Sequence, residues 1–282
     1  MNEPNNFGPP VSRTPIILCA DDFAVNQSAS LGIAQLAQMG RISATSAMVL
    51  SPRWSQDVAL LREVSDRIDV GLHLDWTSEF AVAAGYGLPL GAAMRRAILG
   101  GFDVARAKEV IERQLDLFEA HWQATPDYVD GHQHVQQFAG IREALVLVLS
   151  RRYGAQRVKP YLRISRAPAG AADFKSRVIA RMGADALEKA ANDHGFTCAR
   201  GLLGTYNFEG NSARYSALMA RWLKQAMPGV ILMCHPAQAA EPSDEIGLAR
   251  VQEFAYLCSA DGLQALQSAG VVSARGAYAL ST

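Results

Sequence analysis

Aspartate and histidine recur in this chain at the ends of short apolar runs. Asp21 and Asp22 follow the run 15–20, His73 interrupts GLHLD at 71–75, and Asp130, His132 and His134 share the segment DGHQH; His235 follows an apolar run at 229–234. Two adjacent carboxylates repel unless one binds a cation or shares a proton. Imidazoles two residues apart in an extended chain face the same side, which places His132 and His134 to serve one centre. One Asp with two His is an ordinary donor set for a catalytic divalent ion that keeps positions open for water and substrate. Each fragment alone also has a plainer reading: a solvated turn for Asp21-Asp22, a hydrogen-bonded core histidine for His73, a solvated loop for the paired histidines. Joint position favours chemistry, because all four fragments fall at the same end of predicted strands. His121 and His194 lack such company and read as structural.

Those strands alternate with segments of helical period. Apolar runs at 15–20, 44–50, 68–74, 127–131, 157–164, 201–206 and 229–234 predict strands, and 271–273 is placed to close the sheet. Residues 28–39, 56–64, 104–122, 141–152, 174–192, 212–225 and 245–268 predict helices, the last broken at Gly262. The strongest is 104–122, with Asp103 as its N-cap. Segments 77–93 and 167–173 read as long loops. Seven to eight parallel strands joined by helices predict an α/β fold, a (β/α) barrel that is incomplete or distorted, with an open doubly wound sheet as its rival. In such a barrel the strand ends converge on one face. Residues 1–13 read as a flexible polar leader and 14–282 as a single barrel domain.

Composition narrows the partners. The 282 residues carry 27 Lys+Arg against 27 Asp+Glu, a formal net charge of zero, with 19% charged and 49% hydrophobic residues. That argues against a nucleic-acid binder and against an anionic membrane surface. No signal peptide and no span of bilayer length are expected. Four cysteines without CxxC pairing suit a reducing cytoplasm. The apolar helix at 141–149 serves core and interface equally, so a homodimer stays open.

At the residues singled out above, the chain resembles the YdjC family of carbohydrate deacetylases. The matching elements are ADDF at 20–23, GLHL at 71–74, DGHQHV at 130–135 and MCHP at 233–236, in the family's order; Asp244, Arg250 and Glu253 extend the resemblance. It implies a barrel-like hydrolase that removes acetyl groups from N-acetylated sugars or oligosaccharides with one divalent metal ion. Asp22, His73 and His132 match the metal ligands, Asp21 the base and His235 the group on the other side of the site. Ala24 and Ala237 stand where the family usually has glycine, and Gln136 where its motif ends in histidine. These departures bear on loop shape and substrate choice.

The expected chemistry is attack of water on the acetamide, with Asp21 removing the proton and His235 protonating the departing amine. His134, Arg163 and Trp76 are expected to bind substrate, Arg163 alternatively to fix Asp21. Trp76, Phe80 and Tyr86 offer faces for stacking on a pyranose. Mixed N/O ligation suits Zn2+, and Mg2+ is also compatible. Two rivals remain: a metal-dependent phosphoesterase or amidohydrolase, which usually needs a second metal, and a catalytically silent sugar-binding protein.

Overall fold

The computed structural model describes residues 13–282; most of the expected polar leader lies outside the described residues. The first strand, β1 (Thr14–Phe23), shows how the sheet is built. Side chains alternate between faces along a strand, and here Ile16, Leu18 and Ala20 join the main core while Ile17 and Cys19 join a second, smaller apolar cluster with Tyr128, Tyr161, Ile231 and Met233. The first set packs under the helices, and the second fills the inside of the curl.

The remaining elements follow in alternation: α1 (Gln27–Gln38), β2 (Ala44–Ala47), α2 (Trp54–Arg62), β3 (Asp69–Leu74), α3 (Glu79–Ala83), α4 (Leu90–Leu99), α5 (Val104–Trp122) and β4 (Tyr128–Gly131). After them come α6 (Ile141–Tyr153), β5 (Tyr161–Leu162), α7 (Phe174–Arg181), α8 (Ala184–Asp193), β6 (Leu202–Leu203), α9 (Ser212–Lys224), β7 (Ile231–Cys234), α10 (Gly247–Cys258), α11 (Ala260–Ser268), β8 (Val271–Ser273) and α12 (Gly276–Ala279). Seven strands form one parallel path, β5-β4-β3-β2-β1-β7-β6. It curls into the expected incomplete barrel. The two edges meet through a bridge between Leu162 and Cys198, with Leu162 N donating to Thr197 O at 2.9 Å, in place of a full ladder.

Three local expectations are corrected. The strand at 271–273 does not close the sheet: it pairs with Thr14–Ile16 at the start of β1, which passes to β7 from Ile17 onward. The segment 77–93 holds α3 and the start of α4, because the Ser78 hydroxyl caps the N–H groups of Phe80 and Ala81 and Pro89 precedes the second helix. The break in the last helical stretch falls at Ser259, whose hydroxyl caps Gly262 N, so Gly262 lies inside α11. The helix 104–122 has the predicted bounds; the Asp103 carboxylate accepts from Arg106 N at 2.7 Å. No helix among the described residues is long and apolar enough to cross a membrane.

Candidate active site

The alternation in β1 that sends Ile17 and Cys19 inward continues to Asp21. A regular strand would turn Asp22 outward. Instead the register with β2 shifts between Ala20 and Phe23, and Asp22 takes φ 66°. That left-handed backbone costs a non-glycine residue about 1–2 kcal/mol, and it brings both carboxylates to one side. Ala24 repeats it at φ 71°, a conformation that favours glycine.

The same parity places the partners. His73 and Asp130 are register partners on β3 and β4, and His73 Nδ1 lies 2.6 Å from Asp130 Oδ1. One turn below, a Cβ on Gly71 would meet the Tyr128 ring at 2.5–2.6 Å, so glycine there lets the ring fill the interior. Arg163, just beyond β5, is fully buried. Its two Nη atoms hold Asp21 bidentately at 2.6 Å each, and Nη2 also reaches Asp130 Oδ2 at 2.7 Å and Cys19 Sγ at 3.0 Å. The expected substrate-binding role of Arg163 is therefore replaced by its alternative, fixation of Asp21.

Asp22, His73 and His132 come together. Asp22 Oδ1 is 3.3 Å from His73 Nε2 and 3.0 Å from His132 Nδ1, and one donor atom from each residue lies within 4.8 Å of the others. The second oxygen, Oδ2, accepts from Arg250 at 2.8 Å, and Asp244 holds the Arg250 Nε at 2.6 Å. Asp22 thus turns a single oxygen toward the two imidazoles. His235 approaches from β7, its Nε2 3.9 Å from Asp21 Oδ2. Glu253 fixes its backbone, accepting His235 N–H at 2.6 Å and the Tyr206 hydroxyl at 2.6 Å, and the Phe208 ring meets the imidazole edge-on at 5.0 Å.

His134 does not join His132. The chain after β4 enters a tight turn at His132–Gln137 in which Gln133 and His134 have φ 53° and 64°, so the extended-chain expectation fails. His134 instead pairs with Ser165 Oγ at 3.1 Å and lines the rim of the cavity. Trp76 is also corrected. It is 2% exposed and packs edge-on against Tyr86 and Phe102, out of reach of a sugar; of the three aromatics expected to stack, Phe80 lines the cavity.

The electrostatics are those of carboxylates held ionised among fixed cations. Burial pushes the Asp21 carboxyl up, but the Arg163 charge and hydrogen bonds outweigh it and hold it below the usual range. For Asp22 burial is outweighed in the same way by Arg250 and His132. Burial opposes protonation of His73, and Asp130 overcomes it, raising the imidazole to about 10. His235, with burial dominant, is lowered to about 4, and its Nδ1 is buried without a partner. Burial lifts Glu253 to about 7. Sequence reasoning assigned no role to Asp130, Tyr206 or Phe208. Asp130 is already singled out in the segment DGHQH, and strand parity from His73 supplies its role; nothing local marks the other two.

Asp21, Asp22, His73, His132, His134 and His235 line a cavity of about 800 Å³ at the carboxyl ends of the strands, the end where barrel folds carry their sites. The profile of the YdjC-like protein family matches residues 15–268. A chitooligosaccharide deacetylase of Serratia marcescens is 26% identical over 236 residues, covering 79% of this chain and 81% of its own length. A human carbohydrate deacetylase is 26% identical over 263 residues, covering 82% and 77%. A candidate cellobiose-phosphate cleavage protein of Enterococcus faecalis V583, 18% identical, superposes with a TM-score of 0.71 over 95% of this chain and 99% of its own. With the profile spanning nearly the whole chain and all four sequence motifs gathered at one mouth of the barrel, the chain belongs to the YdjC-like family.

Proposed function

We propose that the protein is a carbohydrate deacetylase that hydrolyses the acetamide of an N-acetylated sugar with one divalent metal ion. The observation that carries this reading is the convergence of an ionised carboxylate, Asp21, with His235 on one side and the Asp22, His73 and His132 donors on the other. The names of the two deacetylase relatives support it.

The donor set fits a divalent cation. Two imidazole nitrogens and one carboxylate oxygen are within reach of one centre, and Asp130 on the far nitrogen of His73 fixes that ring, as carboxylates do behind ligating histidines. Bound there, Zn2+ or Mg2+ would polarise the acetamide carbonyl and acidify water. Asp21, held in place by Arg163, takes the proton of the attacking water. Because Arg163 weakens Asp21 as a base, the proton is held only briefly, and His235 Nε2 at 3.9 Å is the nearest imidazole to receive it. Donated to the departing nitrogen, it completes hydrolysis to acetate and free amine. Glu253 and Phe208 keep the His235 ring aimed.

The two-metal rival meets an obstacle. Cys19, Asp21 and Asp130 form the other cluster of metal-binding type among the described residues, and the Arg163 guanidinium contacts all three. A fixed cation stands where a second metal would sit. The test is acetate release from a panel of N-acetylated mono- and oligosaccharides with each metal added in turn. Release that Asp21→Asn abolishes supports the reading, whereas sugar binding without release in every metal leaves a binding protein.

A further inference from the structure

His134 lines the cavity but stands outside the group formed by Asp22, His73 and His132. Its backbone is nevertheless strained. Gln133 and His134 hold φ 53° and 64° in succession, and strain of this kind gathers where a fold must aim a side chain.

The hydrogen bonds behind the ring decide what it can do. A backbone carbonyl only accepts, so the Gln136 atom 3.3 Å from Arg163 O is the amide nitrogen, Nε2. That nitrogen also donates to Ser165 Oγ at 3.1 Å with its second hydrogen. Ser165 is 2% exposed, and among the described residues the acceptor within reach of its own hydrogen is His134 Nδ1, at 3.1 Å. A buried hydroxyl hydrogen without an acceptor carries its full desolvation cost. Nδ1 therefore accepts, and the imidazole hydrogen sits on Nε2, on the ring edge away from Ser165, with no acceptor among the described residues. Gln136, which orders this relay, stands where the family's motif ends in histidine. The same stretch of chain fixes the base: Arg163 holds Asp21 with both Nη atoms and Gln136 with its carbonyl, two residues before Ser165.

A locked donor matters for one kind of partner. A sugar hydroxyl both donates and accepts, and would suit either tautomer, while a divalent ion needs a bare nitrogen and is refused by Nε2–H. Of the strong hydrogen-bonding groups on an N-acetylated sugar, the acetyl oxygen is the one that only accepts. We propose that His134 is a catalytic residue, its Nε2–H donating to the acetyl oxygen as negative charge develops there, with Ser165 and Gln136 as positioning residues. The proposal rests on the deacetylase reading and adds to it a donor for the oxyanion supplied by the chain itself.

The test measures acetate release by the metal-loaded enzyme from N-acetylated mono- and oligosaccharides. His134→Phe keeps a ring and removes the donor, His134→Asn keeps an amide facing Ser165 but nothing at the reach of Nε2, and His134→Gln restores an N–H near that reach. Loss of one oxyanion donor lowers kcat by about 100- to 1,000-fold. The Phe and Asn variants are expected to lose that much in kcat and in kcat/KM alike, with KM little changed, and the Gln variant to stay within about tenfold of wild type. A raised KM at unchanged kcat marks a sugar hydroxyl as the partner and overturns the proposal, as does an equal loss in all three variants. NMR of isotope-labelled imidazole nitrogens reads the tautomer without turnover. Hydrogen on Nε2 is expected in the wild type and a mixture of tautomers in Ser165→Ala; hydrogen on Nδ1 alone in the wild type overturns the proposal. Wild-type release with His134→Phe or His134→Asn unaffected sinks the proposal and leaves the deacetylase standing, whereas no release by the wild type from any sugar sinks both.

Discussion

Both ends of the barrel bury carboxylates, and they use them differently. At the amino ends of the strands, Asp69 accepts from Arg275 Nε at 2.7 Å, Gly276 N at 2.6 Å and the Tyr161 hydroxyl at 3.2 Å, while Asp127 accepts from Val70 N at 2.8 Å. These donors bind the start of the sheet to α12. At the carboxyl ends, Asp21 and Asp22 are also paired with arginines, but each keeps an imidazole close by, Asp22 sits on left-handed backbone, and His235 Nδ1 is buried without a partner. Burial of charge therefore does not identify a site. What marks the carboxyl end is a left-handed residue inside a strand together with a buried imidazole nitrogen left without a partner, features that a fold retains at a cost where something else is to be bound.

Substitution should break the comparison in opposite directions. Asp22→Asn is expected to lower kcat/KM of the folded enzyme by a thousandfold or more, far beyond what the stability lost with its buried Arg250 pair would produce, in line with the size of losses when a transition-state contact goes. Asp69→Asn should instead cost about 2–4 kcal/mol of stability by orphaning buried donors, with the folded fraction retaining its kcat. Acetate release and denaturant unfolding on both variants decide this; a stable, inactive Asp69→Asn would erase the contrast.

Metal removal sharpens it. Chelation should abolish acetate release, and readdition of Mg2+ or Zn2+ should restore it. A metal at 100 times its Kd adds about 2.7 kcal/mol to stability, so the melting temperature should rise on loading in wild type and stay flat in His132→Ala.

A smaller effect belongs to the other end. Burial and the neighbouring Asp69 raise Asp127 to about 6. The folded state then binds this proton more tightly than the unfolded chain, whose carboxyl has the ordinary value of 3.8. The stability contribution is complete below that value and is lost as pH rises through about 6. The side chain is 35% exposed, which keeps the effect modest. Asp127→Asn should flatten this part of the stability profile, as read by denaturant midpoints from pH 4 to 7, and leave deacetylation unchanged.

The smallest expected effect tests the strain itself. Ala24→Gly relieves φ 71° beside the site and should stabilise by about 0.5–1 kcal/mol after the added freedom of the unfolded chain is subtracted. An unchanged or lower melting temperature would show that the strain at this end is not stored at Ala24.

Much of this was legible in the chain. The bounds of α5, the ends of β3, β4 and β7, and the place of Asp21, Asp22, His73, His132 and His235 at strand ends follow from hydrophobic period and motif, while β1 runs three residues past the expected run 15–20. Three readings failed for physical reasons. His134 was placed by strand parity, which its left-handed backbone cancels. Trp76 is expected to stack on a sugar from the loop after His73, yet α3 folds back and the Leu88 N–H bonds to its carbonyl at 2.9 Å. Of the two roles expected for Arg163, the sugar contact fails and the hold on Asp21 is found, because the inside of a narrow barrel with Asp21 and Asp130 already buried demands a cation.

The amino-acid sequence by itself determined which residue types stand at which strand ends, because apolar periodicity and motif spacing are local properties that survive any global arrangement. Only the tertiary structure decided which groups pair. Arg250 meets Asp22 across 228 residues of chain, Arg163 meets Asp21 across 142, and Asp130 meets His73 across 57. Those distances are set by sheet register, by the curl that brings β5 opposite β1, and by one left-handed residue at Asp22. Each is a balance of packing and backbone strain over the whole barrel, which local pattern does not encode.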